Sequence, residues 1–277
     1  MTYREVYELG RGRLKKQEIA DADLDARLLL EYSCKTNRTT LLAHPDREVS
    51  EEEYENYVNY IERREQHIPL QYITGEQEFM GLEFYVNQNV LVPRQDTEIL
   101  VEEVMRHLHD GMDLLDMCTG SGCILCSLLH YSNDCHGLGV DVSPKALEVA
   151  RQNAQNLGIT AEWTESNLFS VVQGRFDIIV SNPPYIRSDV IPTLMPEVKA
   201  HEPMMALDGK EDGLFFYREI IKQAGAYLRR SGMLFFEIGF DQAEAVSDLM
   251  REQGFAEVEV KKDYAGLDRV VYGTFRG

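Results

Sequence analysis

Asp113-Leu114-Leu115-Asp116-Met117-Cys118-Thr119-Gly120-Ser121-Gly122 reads as a short strand that runs into a glycine-rich turn and opens a helix. Glycines at such a turn let the backbone bend tightly and let a ligand approach the helix N-terminus. By itself the pattern serves a nicotinamide or flavin dinucleotide equally well. Two carboxylates narrow the choice. Asp141 falls at the end of the following strand, where it can accept both hydroxyls of a ribose, a feature shared by dinucleotide and adenosylmethionine sites. Asp116 directs its charge toward the loop where a pyrophosphate would lie, which repels a dinucleotide but suits the ammonium of S-adenosylmethionine.

On either side of this stretch, hydrophobic periodicity predicts strands at Asp113 to Asp116, Gly137 to Asp141, Ala161 to Thr164, Phe176 to Ser181, Met233 to Glu237, Glu257 to Val260 and Val270 to Thr274. Helices are predicted between most of them, at Thr97 to Leu108, Pro144 to Leu157, Phe215 to Leu228 and Gln242 to Gln253. Such alternation implies a parallel sheet covered on both faces. Only Lys261 to Arg269 separate the last two strands, too little for a crossover helix, so these two should pair antiparallel. A seven-stranded, mostly parallel sheet with an antiparallel C-terminal hairpin resembles the Rossmann-like fold of class I methyltransferases.

Upstream the pattern changes. Residues 1–75 read as a small helical domain, with Ala26, Leu28, Leu29 and Leu30 in one segment and Tyr54, Tyr57, Val58 and Ile61 at helical spacing in another. Ser50 followed by Glu53 is a capping-box signature for the second segment. Residues 76–92 approximate period two through Phe79, Leu82, Phe84, Val86, Val90 and Val92, which predicts a β-hairpin linker with Asn87-Gln88-Asn89 as its turn. Residues 93–277 then form the larger α/β domain.

Hydrophobic residues at 44% and charged residues at 27% are ordinary for a soluble globular chain of 277 residues. No apolar run is long enough to span a bilayer, and the start lacks the layout of a secretory signal, so a cytoplasmic protein with no membrane role is expected. Lys plus Arg number 28 against 47 Asp plus Glu, with neither half basic, which argues against a dedicated nucleic-acid binder. Cys118, Cys123 and Cys126, with Cys135 beyond, match the ligand spacing of plant-type iron-sulfur proteins. Their places in a glycine loop and on the helix after it favour buried structural thiols, and no metal is expected. The seven histidines show no metal-ligand spacing.

Ser181-Asn182-Pro183-Pro184-Tyr185 is the specific signal, because it ends the fourth strand at the carboxyl edge where open α/β sheets bind ligands. Pro183 lacks an N–H and has a fixed φ, so its carbonyl can face a pocket rather than a ladder. The Asn182 side-chain oxygen is a second acceptor. Together they can take both hydrogens of a planar NH2 group and hold its nitrogen opposite a sulfonium methyl, with Tyr185 stacked on the plane. The expected activity is methyl transfer from S-adenosylmethionine to an amide-type nitrogen.

With these residues identified, nearly the whole chain resembles the PrmC/HemK family, the protein-(glutamine-N5) methyltransferases of peptide-chain release factors. The resemblance rests on Pro69-Leu70-Gln71-Tyr72-Ile73-Thr74-Gly75, Leu91-Val92-Pro93-Arg94-Gln95-Asp96-Thr97-Glu98, the glycine loop, Asn182 to Tyr185, Glu202-Pro203 with Ala206-Leu207, Asp212-Gly213-Leu214, and Gly266-Leu267-Asp268-Arg269. It implies methylation of the glutamine in the Gly-Gly-Gln loop of release factors, a step that modulates translation termination, with the helical domain engaging the protein substrate and no direct nucleic-acid contact. The implied cofactor residues are Asp116, Cys118, Thr119, Gly120, Ser121, Gly122, Asp141, Asn167, Leu168 and Asn182; the implied substrate residues are Asn182, Pro183, Pro184 and Tyr185. The chain departs from the family at Cys118, usually glycine, and at Asn167, usually an aspartate. A cysteine there predicts a negative φ at position 118. Asn167 can still accept from an adenine amino group through its amide oxygen.

An N6-adenine or N4-cytosine nucleic-acid methyltransferase is the main competitor, since those exocyclic amines fit the same tetrad after base flipping. The acidic balance disfavours it. A non-catalytic adenosylmethionine-binding module is the alternative from another class, and the intact tetrad speaks against it.

Overall fold

The computed structural model describes all 277 residues. The chain divides into two compact units, Met1–Glu76 with Met195–His201, and Gln77–Leu194 with Glu202–Gly277.

The first unit contains α1 (Tyr3–Lys16), α2 (Ala22–Ser33), α3 (Arg38–Ala43), α4 (Glu51–Glu65) and α5 (Leu70–Thr74). The capping box expected at the start of α4 is present: the Glu53 N–H donates to Ser50 Oγ at 3.3 Å, and Glu53 Oε2 accepts the Ser50 N–H at 2.8 Å. Two donors that the helix cannot satisfy internally are thereby paired. Ala26, Leu29, Leu30, Tyr57 and Ile61 from the two helical stripes are fully buried together. Residues 195–201 return to this unit through Glu197, whose Oε1 accepts from Arg64 Nη2 at 2.9 Å and lies 3.3 Å from His67 Nδ1. Arg64 also donates to the buried Asp25 at 2.7 Å.

A two-stranded sheet follows, β1 (Glu76–Phe79) and β2 (Leu82–Tyr85). Its turn is Met80-Gly81, both at positive φ, and not Asn87-Gln88-Asn89 as the alternation suggested. Strand pairing stops at Tyr85, and Asn87 instead builds a separate side-chain turn in which its Oδ1 accepts the Asn89 N–H at 2.9 Å. Val86, Val90 and Val92 are buried without being strand residues, which is why the alternation overran the hairpin.

The second unit continues with α6 (Gln95–His107), β3 (Asp113–Met117), α7 (Cys123–His130), β4 (His136–Asp141), α8 (Pro144–Leu157), β5 (Glu162–Glu165) and β6 (Phe176–Ser181). After the short helix α9 (Pro196–His201), which packs in the first unit, come α10 (Met204–Leu207), α11 (Phe215–Tyr227), β7 (Leu228–Glu237), α12 (Ala243–Glu252), β8 (Phe255–Lys262) and β9 (Asp268–Phe275). The sheet order is β5-β4-β3-β6-β7-β9-β8. The pairs through β7 are parallel, whereas β9 runs antiparallel to both β7 and β8. The seven-stranded arrangement read from the sequence is therefore the one observed. β7 begins at Leu228 rather than Met233, because the polar run Arg229-Arg230-Ser231-Gly232 hides its first half and a register shift interrupts it.

Successive residues alternate between the two faces, and both faces are buried. Leu115, Ile179, Leu234 and Phe236 enter one core, and Leu114, Ile178, Val180 and Phe235 the other. From β3, the next strands in sequence lie to one side and β6 and β7 to the other, so the order reverses between β3 and β6. Ligands of open α/β sheets bind at the carboxyl edge of that reversal. No helix of the chain is long and apolar enough to cross a membrane.

Gly10 shows how close the helices of the first unit lie, since a Cβ there would sit 1.9 Å from the Tyr57 hydroxyl, which donates to the Ala26 carbonyl at 3.2 Å. Alanine favours a helix over glycine by about 1 kcal/mol, but overpacking a buried aromatic costs about 1–3 kcal/mol and removes a hydrogen bond as well. Gly10→Ala is expected to destabilise the protein, read as a lower urea midpoint, with partial recovery in the Gly10→Ala/Tyr57→Phe double variant.

Candidate active site

The register of β3 against β6 pairs Met117 with Ser181, and Ser181 Oγ donates to the Met117 carbonyl at 2.6 Å. The loop that begins at Cys118 and the tetrad that begins at Asn182 therefore leave the sheet side by side. Between them opens a cavity whose empty space, counted out to its mouth, is about 970 Å³.

Of the residues singled out in the sequence, Cys118, Thr119, Gly120, Ser121, Asp141, Asn167, Leu168, Asn182 and Pro184 line this cavity. Asp116, Gly122, Pro183 and Tyr185 lie outside its lining.

Cys118 adopts φ +63°, contrary to the negative value expected for a residue with a side chain. The tight exit from β3 imposes the left-handed conformation whichever residue occupies it, at a cost of about 1–2 kcal/mol for an L-residue. Its side chain packs against the sheet core. Burial pushes the Cys123 thiol up to about 12 and raises those of Cys118 and Cys126 as well. These thiols stay protonated and chemically quiet.

Asp141 is held by two backbone donors, the Gly120 N–H to Oδ2 and the Ser143 N–H to Oδ1, each at 2.9 Å. Each oxygen keeps a lone pair, so the carboxylate can still accept hydroxyl donors from a ligand. Behind the loop Asn153 acts as a clamp. Its Nδ2 donates to the carbonyls of Ser121 at 2.9 Å and Tyr85 at 3.0 Å, and its Oδ1 accepts the Tyr85 N–H at 2.7 Å.

Asp116 is completely buried behind Thr119, whose hydroxyl donates to Oδ2 at 2.5 Å, and Oδ1 has no hydrogen-bond partner. Burial pushes its pKa up to about 7, against the opposing pull of the Thr119 hydrogen bond.

The tetrad is anchored from below. Asn182 lines the cavity, and its Nδ2 donates to Thr97 Oγ1 at 3.3 Å. Tyr185 donates its hydroxyl to Glu237 Oε1 at 3.1 Å, and its carbonyl accepts from Gln242 Nε2 at 3.0 Å. Arg94 reaches from the cavity wall to the buried Glu202, whose pKa burial raises.

Sequence reasoning assigned no role to Thr97, Arg94, Glu202 or Glu237. Signals for all four existed. Arg94 and Thr97 sit in the block Leu91–Glu98, Glu202 begins Glu202-Pro203, and Glu237 is a lone charge ending the apolar run Met233-Leu234-Phe235-Phe236.

A family model described as the PrmC N-terminal domain matches residues 5–75, and one described as a methyltransferase small domain matches residues 94–195. A release factor glutamine methyltransferase from Clostridium acetobutylicum is 42% identical over 260 residues, covering 91% of each chain. Another from Caulobacter vibrioides is 40% identical over 283 residues, covering 99% of this chain and 96% of that one. Among solved structures, a methyltransferase from Pyrococcus furiosus shares the fold at a TM-score of 0.55 and 18% identity, over 72% of this chain and 91% of that one.

The buried Asp116 gives a pH-dependent test of stability. The folded chain keeps its proton up to about pH 7, whereas the unfolded chain releases it near the ordinary value of 3.8. The native state binds more protons across that window, so stability conferred by this group is greatest below it and falls as pH rises. Asp116→Asn should remove this fall, which is at most roughly 4 kcal/mol by linkage. Urea unfolding of both proteins from about pH 4 to about pH 8 should show the variant gaining relative to the parent toward alkaline pH, and an unchanged difference would refute the assignment.

Proposed function

Since the chain belongs to the family of release factor glutamine methyltransferases, we propose that it transfers the methyl group of S-adenosylmethionine to the side-chain nitrogen, N5, of the glutamine in the Gly-Gly-Gln motif of peptide-chain release factors. One observation carries the choice of acceptor chemistry: Asn182 lines the cavity while its amide nitrogen donates to Thr97, an arrangement that suits presenting the amide oxygen to a substrate. A substrate NH2 group needs acceptors at its two hydrogens, and the Asn182 amide oxygen and the Pro183 carbonyl are the two proposed for them.

The lining suits the cofactor. Asp141 would accept the ribose hydroxyls, Asn167 would accept from the adenine amino group, Leu168 would border the base, and the loop from Cys118 to Gly122 would hold the methionine portion. Asp116 acts on the ammonium through Thr119 rather than by direct contact, because Thr119 stands between it and the cavity. When bound, S-adenosylmethionine supplies a methyl group already activated by its sulfonium.

The chain's own task is to make a carboxamide nitrogen nucleophilic. Its lone pair is delocalised into the carbonyl, and acceptors on both N–H bonds counter this by raising electron density on nitrogen and favouring pyramidalisation. Asn182 Oδ1 is one acceptor and the Pro183 carbonyl the other, with the proline ring keeping that carbonyl out of the sheet ladder. The gain is larger in the transition state than in the ground state, which is the condition for catalysis. Tyr185, tied to Glu237 and Gln242, keeps the tetrad from shifting. A proton passes to water after transfer, so no strong base is required.

The helical unit is assigned the docking of the release factor, and a cytoplasmic location accords with a substrate used in translation. The excess of acidic over basic residues suits a protein substrate better than a nucleic acid.

Incubation of an intact release factor with the protein and S-adenosylmethionine should add one methyl to the glutamine of its Gly-Gly-Gln motif, located by peptide mass mapping. A methyl found elsewhere, or none, refutes the proposal. Asn182→Ala should slow single-turnover transfer by about 10²–10³ while changing cofactor affinity little. Asp141→Ala should do the reverse, weakening S-adenosylmethionine binding by about tenfold or more through lost hydrogen bonds to a buried site, as calorimetry would report.

A further inference from the structure

Beyond Tyr185 the chain runs alongside residues 207–210 and pairs with them. The Ile186 N–H donates to the Leu207 carbonyl at 3.0 Å, the Ile186 carbonyl accepts the Gly209 N–H at 2.8 Å, and the Ser188 N–H donates to the Lys210 carbonyl at 3.0 Å. Helix α10, which leads into this pairing, carries Met205 and Ala206, and these line the cavity together with Pro203, Asn182 and Pro184. One short ladder thus sets the distance between the tetrad and an apolar wall. The approach is close. A Cβ on Gly209 would lie 2.7 Å from Tyr185 Cα, and one on Gly213 would lie 2.5 Å from the Tyr185 carbonyl oxygen. Only glycine lets two backbones meet at such a spacing.

Gln242, buried at the N-cap of α12, closes this arrangement from the far side. Its Oε1 accepts the Gly239 N–H at 2.9 Å and the Tyr217 hydroxyl at 3.4 Å, while its Nε2 donates to the Tyr185 carbonyl at 3.0 Å and the Gly213 carbonyl at 3.3 Å. Every donor and both sides of the acceptor are thereby used. The orientation of the amide is fixed, because a backbone N–H is met only by the oxygen end and backbone carbonyls only by the nitrogen end. The two ends serve different parts of the molecule. The oxygen closes the turn from β7 into α12, whereas the nitrogen joins Tyr185 and Gly213, which belong to no helix or strand.

We propose that Gln242 is a positioning residue for methyl transfer: its Nε2 holds the continuation of the tetrad to the Gly213 turn, and so fixes the width of the slot between Asn182-Pro183-Pro184 and the wall of Pro203, Met205 and Ala206; this rests on the reading of the tetrad as the holder of a substrate amide. A glutamine side chain is an unbranched methylene stem that ends in a planar group. An apolar wall at a fixed distance confines such a stem without competing for its polar end. Methyl transfer tolerates little displacement of the accepting nitrogen, since misplacement by about 1 Å can cost about a hundredfold in rate. Cofactor binding depends on other bonds. Asp141 is held by Gly120 and Ser143, and the glycine loop by Asn153, none of which involves Gln242.

Single-turnover methylation of a release factor at saturating S-adenosylmethionine, with cofactor affinity measured by calorimetry, tests this with Gln242→Glu, Gly209→Ala and the double variant. Glutamate keeps the size of the side chain and an oxygen for the Gly239 N–H, and the N-terminus of α12 favours its charge. It sets its other oxygen against the carbonyls of Tyr185 and Gly213, acceptor against acceptor. Gln242→Glu should slow transfer by about tenfold to a hundredfold, with S-adenosylmethionine affinity unchanged. Gly209→Ala, which forces the same pairing apart from its other side, should show the same split. The double variant should lose less than the product of the two single losses, because both act on one ladder. A parental rate in Gln242→Glu, a loss of cofactor affinity as large as the loss of rate, or costs that multiply in the double variant overturns the inference while the activity stands. If Gln242→Glu does not fold, Gly209→Ala carries the test, and a parental rate in it overturns the inference. A parent protein that methylates no glutamine overturns the activity and this inference together.

Discussion

The parallel pairing of β3 with β6 is the constraint on which the candidate site depends. Two segments far apart in sequence, a glycine loop and a proline tetrad, acquire a common floor only because Met117 and Ser181 are in register and are tied by a side-chain hydrogen bond. The side-chain period of a strand is two, so a slip of one residue would turn inward-facing positions outward on a sheet buried on both faces. Burial of Leu114 and Ile178 in one core and of Leu115 and Ile179 in the other forbids that slip. The geometry of the site is thus enforced by hydrophobic packing several residues away from it.

Three buried carboxyl groups, Asp116, Glu202 and Glu237, gather in this unit around the cavity and the tetrad, and each has one oxygen without a partner. In each case burial is the leading cause of a raised pKa. Such groups weaken a fold, and their concentration near one end of a sheet marks a place where stability gives way to function. Their settings differ. Glu202 has Arg94 and Glu237 has Arg269 nearby, whereas the charged neighbour of Asp116 is Asp141, of like sign. A cationic ligand is what that last arrangement accommodates.

The fold was readable where periodicity and burial agree. Phe176–Ser181 and Pro144–Leu157 have the bounds the pattern gave, because each lies in an uninterrupted apolar or amphipathic run with clear stops. Reading failed where a local pattern had another cause: the buried valines after Tyr85 extended the apparent hairpin, and the polar Arg229–Gly232 concealed half of β7. At the site, residues that line the cavity announced themselves through spacing. Groups beneath it did not, since Thr97 of α6 and Asn182 after β6 are far apart in sequence and are hydrogen-bonded only once the chain has folded. The φ of Cys118 was misjudged for the same reason: a local preference was outweighed by the course the sheet imposes.

Asn153 ties the glycine loop and the small hairpin to the same buried amide. Neither can leave its native position without breaking bonds that hold the other, so the two should open as one cooperative unit, with amide protons that exchange on a shared timescale. The hairpin, which lies upstream of every strand of the main sheet, thereby becomes part of the rigidity of the ligand-binding loop. Changes in its sequence would be felt as altered loop dynamics rather than as lost contacts to a ligand.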